Sequence, residues 1–218
     1  MIELFNIQKT YRLNGAPVEA LRGVSLSIAS GEYRALMGKS GSGKTTLMNI
    51  IGLLDTPTGG EYKIDGRPTA GLSENELADL RNRRIGFVFQ SFNLLARYSA
   101  LENVCMPLYY RRERYPQKKA ARALERVELG HRMGHFPNQL SGGESQRVAI
   151  ARAMVTEPTI ILADEPTGNL DSVTGGQIMD LFQDLNKGGT TILLVTHEVE
   201  IAQKANNIIR IRDGLLEE

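Results

Sequence analysis

The chain has 218 residues, 41% of them hydrophobic and 23% charged, a length and composition that suit one sizeable globular domain with a real core. Its formal net charge of +1 creates no global field toward nucleic acid or an anionic membrane. A single cysteine, Cys105, excludes an internal disulfide, argues against a cysteine zinc cluster and points to a reducing compartment.

No apolar run approaches the roughly 18 residues of a membrane span. The N-terminal MIELFNIQKTY lacks the basic, apolar and cleavage-site succession of a secretory signal. A cytoplasmic protein is expected, and any membrane work requires a partner to supply the crossing.

In chain order, IELFNIQKTY and VSLSIASGEYRALMG alternate or run apolar as strands do. GKTTLMNIIGLL reads as a helix opening after a glycine-rich turn. GEYKIDG is a short strand closed by an Asp-Gly turn. SENELADLRNRR begins with Ser73 and has Glu76 three residues on, the spacing of a capping box, and predicts a helix. From about residue 91 to 155 strand signals fade and helices dominate, notably KKAARALERVEL from Lys118. Strands return in TIILADEP and GTTILLVTHE, with the helix GGQIMDLFQDLN between them. The closing IIRIRDGLLEE reads as a hairpin on Asp213-Gly214.

Strands interleaved with helices imply an α/β fold whose mainly parallel sheet is covered on both faces. Residues 1–90 and 156–218 are expected to form that core, and 91–155 a helical lobe inserted into it.

Three stretches carry chemistry. GKSGSGKTT follows a predicted strand, opens a predicted helix and satisfies G-x-x-x-x-G-K-[ST] with Gly38, Gly43, Lys44 and Thr45. Its glycines let backbone N–H groups of Ser40, Gly41, Ser42, Gly43 and Thr46 converge on phosphate oxygens, and the helix N-terminus adds positive potential. Lys44 can reach the β- and γ-phosphates, and the Thr45 hydroxyl can ligate Mg²⁺. This is a nucleoside-triphosphate site.

IILADEP delivers Asp164 and Glu165 to the C-terminal edge of a strand, where ligands of open α/β sheets sit. Asp164 can hold Mg²⁺ through water, leaving Glu165 to polarise a water for in-line attack on the γ-phosphate. In LSGGESQRVAIARAM, Ser141 and Glu144 form a second capping box. Gly142 and Gly143 leave that helix end sterically open, with a dipole to which an anion is the natural complement.

The same stretch resembles the signature sequence of ABC-type ATPases, and it lies just ahead of IILADEP, as in that family. The resemblance runs over essentially the whole chain. It implies a P-loop core, an antiparallel β subdomain and an inserted helical signature lobe. In FVFQ, Gln90 matches the glutamine that contacts metal and attacking water at the entry to the lobe. GNLD puts Asp171 in the loop that crosses a dimer interface, VTHE puts His197 in the switch position beside the γ-phosphate, and Tyr11 matches the aromatic that stacks on adenine. In such proteins the signature of one subunit closes over ATP held by the phosphate loop of another. Ser141, Gly142 and Gly143 are therefore expected to meet the γ-phosphate bound by a second copy.

The stretches VEALRGVSLSIASGEY, GLLDTPTGGEYKIDG, FVFQSFNLLARYSALENV and ADEPTGNLD are similar to the macrolide-exporter and lipoprotein-release branch, with cell-division relatives nearby. That branch implies an ATPase subunit on the cytoplasmic face of the plasma membrane, bound to separate permease subunits and powering export or lipoprotein extraction. An ATP-driven regulator of a membrane partner, as in the cell-division relatives, is the alternative. DNA-acting relatives separate loop and signature by long coiled coils, and translation-associated ones carry two cassettes; neither pattern is here, and no nucleic-acid partner is expected.

Three features depart from the branch's pattern. Lys39 follows the first glycine of the loop, and Glu144-Ser145 replaces a pair of glutamines. The basic YYRRERYPQKK, Tyr109–Lys119, matches no family motif; it reads as a solvated helical face, with a permease or lipid-headgroup contact as the alternative.

Overall fold

The fold comes from a computed structural model, which describes residues 1–13 and 16–217. Two sheets organise it. The N-terminal strands β1 (Ile2–Leu13) and β2 (Ala16–Ile28) pair antiparallel, and β4 (Gly59–Ile64) and the two-residue β5 (Arg67–Pro68) extend them in the order β2-β1-β4-β5. Asp65 and Gly66, both at positive φ, form the tight turn between β4 and β5, as the Asp-Gly pair predicts.

The second sheet has six strands in the order β10-β9-β3-β8-β7-β6. β3 (Tyr33–Met37), β6 (Ile85–Phe89), β7 (Ile160–Asp164), β8 (Thr191–Thr196) and β9 (Asn207–Arg212) run parallel, and β10 (Leu215–Glu217) adds antiparallel through the Asp213-Gly214 turn.

The central strands read as continuous apolar runs because both their faces are covered. Along β7, Ile161 and Ala163 join one hydrophobic cluster and Ile160 and Leu162 the other. β8 alternates likewise, Ile192 and Leu194 against Leu193 and Val195. One cluster lies beneath the antiparallel sheet, α1 (Lys44–Ile51) and α2 (Glu74–Arg84). The other joins the sheet to α3 (Ala100–Tyr110), α4 (Pro116–Arg126), α5 (Gly142–Met154), α6 (Ser172–Lys187) and α7 (Val199–Ala202).

Between β6 and β7 the chain is helical, as its fading strand signals predict, but these helices have no separate core. Val104, Leu124 and Val148 share one cluster with Tyr33, Val88 and Ile192 of the sheet. Burial sorts these residues more strongly than position in the chain does.

Helix starts follow the sequence signals closely. Ser73–Glu76, Ser99–Glu102 and Ser141–Glu144 each form a reciprocal capping box, and Asp171 caps α6 through the N–H groups of Val173 and Thr174. α1 differs: its N-cap is Gly43, left-handed at φ 106°, and no side chain caps it.

α5 lies against β6 at Gly86. A Cβ built there would stand 2.4 Å from the Ala153 carbonyl oxygen, a backbone atom that cannot turn aside. Gly86→Ala should therefore destabilise the chain by about 3 kcal/mol through overpacking. The expected reading is a lower urea midpoint at unchanged m-value; a midpoint within error of the parent would show that α5 does not bear on β6 this closely.

Candidate functional site

The phosphate-binding loop leaves the C-terminal end of β3 and turns into α1. Gly38 is required by packing: a Cβ there would meet the Ile211 carbonyl oxygen at 2.4 Å and Ser42 Oγ at 2.5 Å. Gly43 combines its positive φ with 2.7 Å of clearance to the Ala20 carbonyl oxygen, so no larger side chain fits. The Gly214 N–H donates to the Ser42 carbonyl at 3.0 Å, fastening the loop to the β9–β10 turn. Lys44 Nζ donates back to the carbonyls of Gly38 and Lys39 at 2.6 and 2.9 Å, which lays the ammonium across the loop.

The uncapped α1 is the fit test for a polyphosphate. Its first-turn N–H groups have no intrahelical acceptors, no side chain supplies one, and no acid stands in the first turn to compete. Backbone donors, helix dipole and Lys44 converge on one anion-binding end.

Tyr11 of β1 stands beside this end, next to Thr46. Its hydroxyl donates to Asp55 Oδ2 at 2.7 Å, while Lys9 Nζ bonds Asp55 Oδ1 at 2.5 Å and the Thr56 carbonyl at 2.7 Å. Lys9 Nζ also sits 4.9 Å from the Tyr11 ring centroid, a cation–π distance. Burial, then Asp55, raises the Tyr11 phenol above its ordinary value. Lys9 and Asp55 thus fix the ring's tilt. The sequence reading missed both, although Lys9 lies two residues from Tyr11 and so on the same strand face.

The two strand-end acids separate as they leave β7. Asp164 is still paired with Phe89 and Val195 in the ladder. Burial first, then the charge of Glu165, pushes its carboxyl above the usual carboxylate range, with Lys44 opposing. A carboxyl in that position gains from a divalent cation beside it. Glu165 turns out of the strand at φ 43°, a strained setting for a residue with a side chain. Its N–H donates to the Val195 carbonyl and its carbonyl accepts from Gly168. Glu165 Oε1 lies 2.7 Å from His197 Nδ1.

Gln90, just past β6, exchanges hydrogen bonds with Asn169: its Nε2 donates to Asn169 Oδ1 at 3.2 Å, and Asn169 Nδ2 donates to the Gln90 carbonyl at 3.0 Å. A Cβ on Gly168 would strike Gln90 Nε2 at 2.6 Å. Phe92 and Asn93 follow at φ 59° and 48°. Two consecutive left-handed residues cost about 1–3 kcal/mol each, and Arg152 of α5 holds them by donating to both their carbonyls, at 2.8 and 2.6 Å. Burial lowers the Arg152 pKa. Arg152 carried no motif and was not legible as part of a site.

The signature end forms a second cluster. Ser141 and Gly142 are exposed at the start of α5. Glu144, besides closing the capping box, accepts from Arg132 Nε at 2.9 Å. The paired glycines have a packing reason within the chain, which the reading from sequence lacked. A Cβ on Gly142 would reach Leu170 Cδ2 at 3.1 Å, and one on Gly143 would meet Thr174 Cγ2 at 2.5 Å. Asp171 Oδ2 in turn accepts from the Thr174 hydroxyl at 2.6 Å. Ser141, Gly142, Gly143 and Asp171 are therefore neighbours.

Lys44, Asp164, Glu165 and His197 form the other group, with Gln90 tied to Asn169 between strand and loop. Among the described residues no hydrogen bond or ion pair joins Ser141–Gly143 to Gly38–Thr46. The direct link is the buried Gln146, whose Nε2 donates to the Pro166 carbonyl at 2.6 Å. No cluster of three or more His, Cys, Asp or Glu side chains able to hold a metal occurs among the described residues. A metal here would draw on one carboxylate, a hydroxyl, an amide and the nucleotide's own oxygens.

A phosphate loop on β3, a strand-end acid pair on β7 and a glycine-opened helix before it define an ATP-binding-cassette ATPase. Residues 21–168 match the family described as ABC transporter, and the chain belongs to that family. It is 54% identical over 218 residues to an ABC transporter ATP-binding protein, YknY, of Bacillus subtilis, covering 98% of this chain and 94% of that one. It is also 53% identical to a macrolide export ATP-binding/permease protein of Syntrophobacter fumaroxidans, covering 100% of this chain but 31% of that protein. The chain thus spans about a third of the length of its macrolide-export relatives. Among solved structures, the dimeric bacterial ABC transporter cassette MJ0796 superposes with a TM-score of 0.90 at 47% identity over 100% of this chain and 97% of that one. A post-hydrolysis state of the same cassette, bound to ADP and Pi, gives the same TM-score at 46% identity.

The glycine contact yields a test of packing alone. Gly143→Ala should lose about 1–2 kcal/mol, because overpacking against Thr174 exceeds the ~1 kcal/mol gain in helix propensity. Adding Thr174→Ser removes Cγ2, keeps the hydroxyl for Asp171, and should bring the denaturation midpoint back to the parent value or above. No recovery would mean that Thr174 is not what Gly143 accommodates.

Proposed function

We propose that this chain is the ATP-hydrolysing subunit of an export or lipoprotein-extraction transporter, working as a head-to-tail pair of copies on the cytoplasmic face of a membrane. One observation carries the reading: the uncapped α1 behind Gly43 seeks an anion, while the exposed Ser141–Gly142 start of α5, capped within its own chain, is joined to it by no hydrogen bond or ion pair among the described residues. A second copy turned end for end brings each to the other's partner, closing two ATP molecules between them. The relative whose structure is described as dimeric supports the pairing. The relatives named for macrolide export support the branch.

In this reading Ser40–Thr46 backbone donors and Lys44 bind the β- and γ-phosphates, and Tyr11, tilted by Asp55 and Lys9, stacks on adenine. Glu165 accepts the proton of the attacking water at its carboxylate, held toward that water by His197 Nδ1. Gln90 positions the same water, anchored by Asn169. Ser141, Gly142 and Gly143 of the second copy donate to the γ-phosphate, and Asp171 shapes the loop between the two copies. Thr45, Gln90 and Asp164 would hold Mg²⁺, which neutralises charge on the transferring phosphoryl group. Residues 91–155 act as the signature lobe.

Among the described residues no helix is long and apolar enough to cross a membrane; in this reading the transport path belongs to a permease. A groove of about 760 Å³ floored by Phe87 and Phe89 of β6 and walled by Met106, Pro107, Tyr110 and Arg152 suits a short helical segment of such a partner. Its floor strand ends one residue before Gln90, which would let permease movement reach the site.

Glu165→Gln should bind ATP yet turn over at least about 100-fold more slowly, the contribution expected of a general base, and accumulate as an ATP-filled dimer on gel filtration. Lys44→Ala should lose nucleotide affinity in a direct titration. A Glu165→Gln chain that stays monomeric at saturating ATP and high protein concentration would overturn the paired arrangement.

A further inference from the structure

The basic stretch that matches no family motif divides into two parts in the structure. Arg111 belongs to the interior framework: its guanidinium donates to the Asn82 side chain, the Asn82 carbonyl and the Thr156 carbonyl at 2.9–3.0 Å. The residues after it face water. Arg112, at φ 54°, ends α3, and Pro116 starts α4. Between and beyond them Arg112, Arg114, Lys118, Lys119, Arg122 and Arg126 are all exposed.

Little acid answers these cations. Lys119 pairs with Glu113 at 3.0 Å, and the exposed Glu125 of α4 lies beyond ion-pair reach of the others. Among the described residues no carboxylate lies within ion-pair reach of Arg112, Arg114, Lys118, Arg122 or Arg126. Lys118, Arg122 and Arg126 fall at i, i+4 and i+8 on one stripe of α4. The opposite side of α4, Ala120, Ala123 and Leu124, is buried in the core, so the helix cannot roll its charge inward.

Three tyrosines stand within the same segment: Tyr109 46%, Tyr110 77% and Tyr115 60% exposed. Arg114 lies over the Tyr115 ring at 5.3 Å. Exposed tyrosines interleaved with arginines are suited to the boundary of a bilayer, where an apolar ring and a polar tip are both satisfied. Tyr110 also lines the apolar groove, so the patch borders the surface assigned above to the permease and would face the same membrane.

We propose that Tyr110, Arg112, Arg114, Tyr115 and the cationic stripe of α4 form a contact surface for anionic phospholipid headgroups. The surface binds peripherally: the apolar face of α4 is already used, so nothing inserts beyond the tyrosine rings, and attraction comes from the cations. A net charge of +1 over the whole chain is compatible with this, because within a Debye length of about 8 Å only the local charge counts.

The assignment of which way the patch faces rests on the permease reading, but the affinity does not. The purified full-length chain, without any permease, is sedimented with vesicles of phosphatidylglycerol and phosphatidylethanolamine and with vesicles of phosphatidylcholine alone. It should bind the anionic vesicles preferentially and release them as salt rises. Arg112→Glu/Arg114→Glu should weaken that binding by about 25-fold or more, at about five-fold for each cation lost. Lys187→Glu/Lys204→Glu, which changes net charge equally on exposed lysines of another face, should leave it within two-fold. Tyr115→Ser should weaken it without altering its salt dependence. ATPase activity in buffer should be the same for all of these variants.

Equal binding to both kinds of vesicle, or equal loss in the two charge-reversed variants, overturns the proposal. So does a patch variant that keeps vesicle binding and loses instead an acidic cytoplasmic segment of the permease, which would assign the patch to a protein partner. Failure of the groove reading would show separately, as a Met106→Asp chain that still copurifies with the permease and still binds vesicles.

Discussion

The missing cap on α1 is the constraint around which the nucleotide end is built. Four other helices in this chain begin under a serine or aspartate that answers their first N–H groups, and each such cap stabilises by about 1 kcal/mol. α1 forgoes that at a left-handed glycine. It persists because Leu47, Met48, Ile50 and Ile51 bury its inner face and because Gly38 and Gly43 let β9 and β2 press against the loop. Packing from behind holds the helix in place, and the front is left with donors that only an anion satisfies. The raised carboxyl of Asp164 is the complementary feature: burial makes its charge expensive, and a cation beside it would offset that cost. The two halves of the site are each incomplete electrostatically, and in opposite senses.

α5 transmits position between the signature end and the acids. Near its start Gln146 holds the Pro166 carbonyl, one residue past Glu165. Two residues before its end, Arg152 holds the carbonyls of Phe92 and Asn93 after Gln90. At its last turn Gly86 brings it against β6. A tilt of α5 therefore cannot leave Glu165 or Gln90 where they were. Interiors packed at this density shift as bodies and do not yield locally. Glu165, Phe92 and Asn93 all hold left-handed backbone, so the strain sits in the segments that α5 pins.

How much of this was legible follows from what each signal encodes. Capping boxes, the Asp-Gly turns and the all-apolar central strands are local, and Ser73, Ser141, β7 and β8 can be read from neighbours within a few residues. The loop glycines, the acid pair and the signature were readable because the chemistry dictates residue type at fixed spacing. Arg152, Asn169, Gln146, Lys9 and Asp55 were not, because each acts across a contact between distant segments: Arg152 reaches back about sixty residues. The run of helices between β6 and β7 was legible as a change of element type. The shared hydrophobic cluster beneath it was not, since apolar residues in α3 or α5 look the same whichever partner buries them. Gly142 and Gly143 mark a limit of another kind. Their sequence context suggests openness toward a ligand, whereas their geometry shows that Leu170 and Thr174 already demand small residues there.

Charge on this chain is segregated although the total is nearly zero. The acids Asp164 and Glu165 gather at the strand ends beside Lys44, whereas five cations without an ion-pair partner among the described residues gather at the α3–α4 junction and along α4, beside the apolar groove. A surface of this kind need not bind tightly to be effective. In the proposed arrangement a few exposed cations and three tyrosines would give a weak, salt-sensitive association, and the groove would offer a small apolar contact. Two weak contacts presented to the same membrane act together, because once one is made the other becomes intramolecular at an effective concentration set by geometry. The groove would then need to recognise only a short permease segment, since headgroup attraction already confines the subunit to the layer in which that segment lies. Such an arrangement leaves each contact individually soft enough to rearrange when α5 and Gln90 move, which a single tight interface would resist.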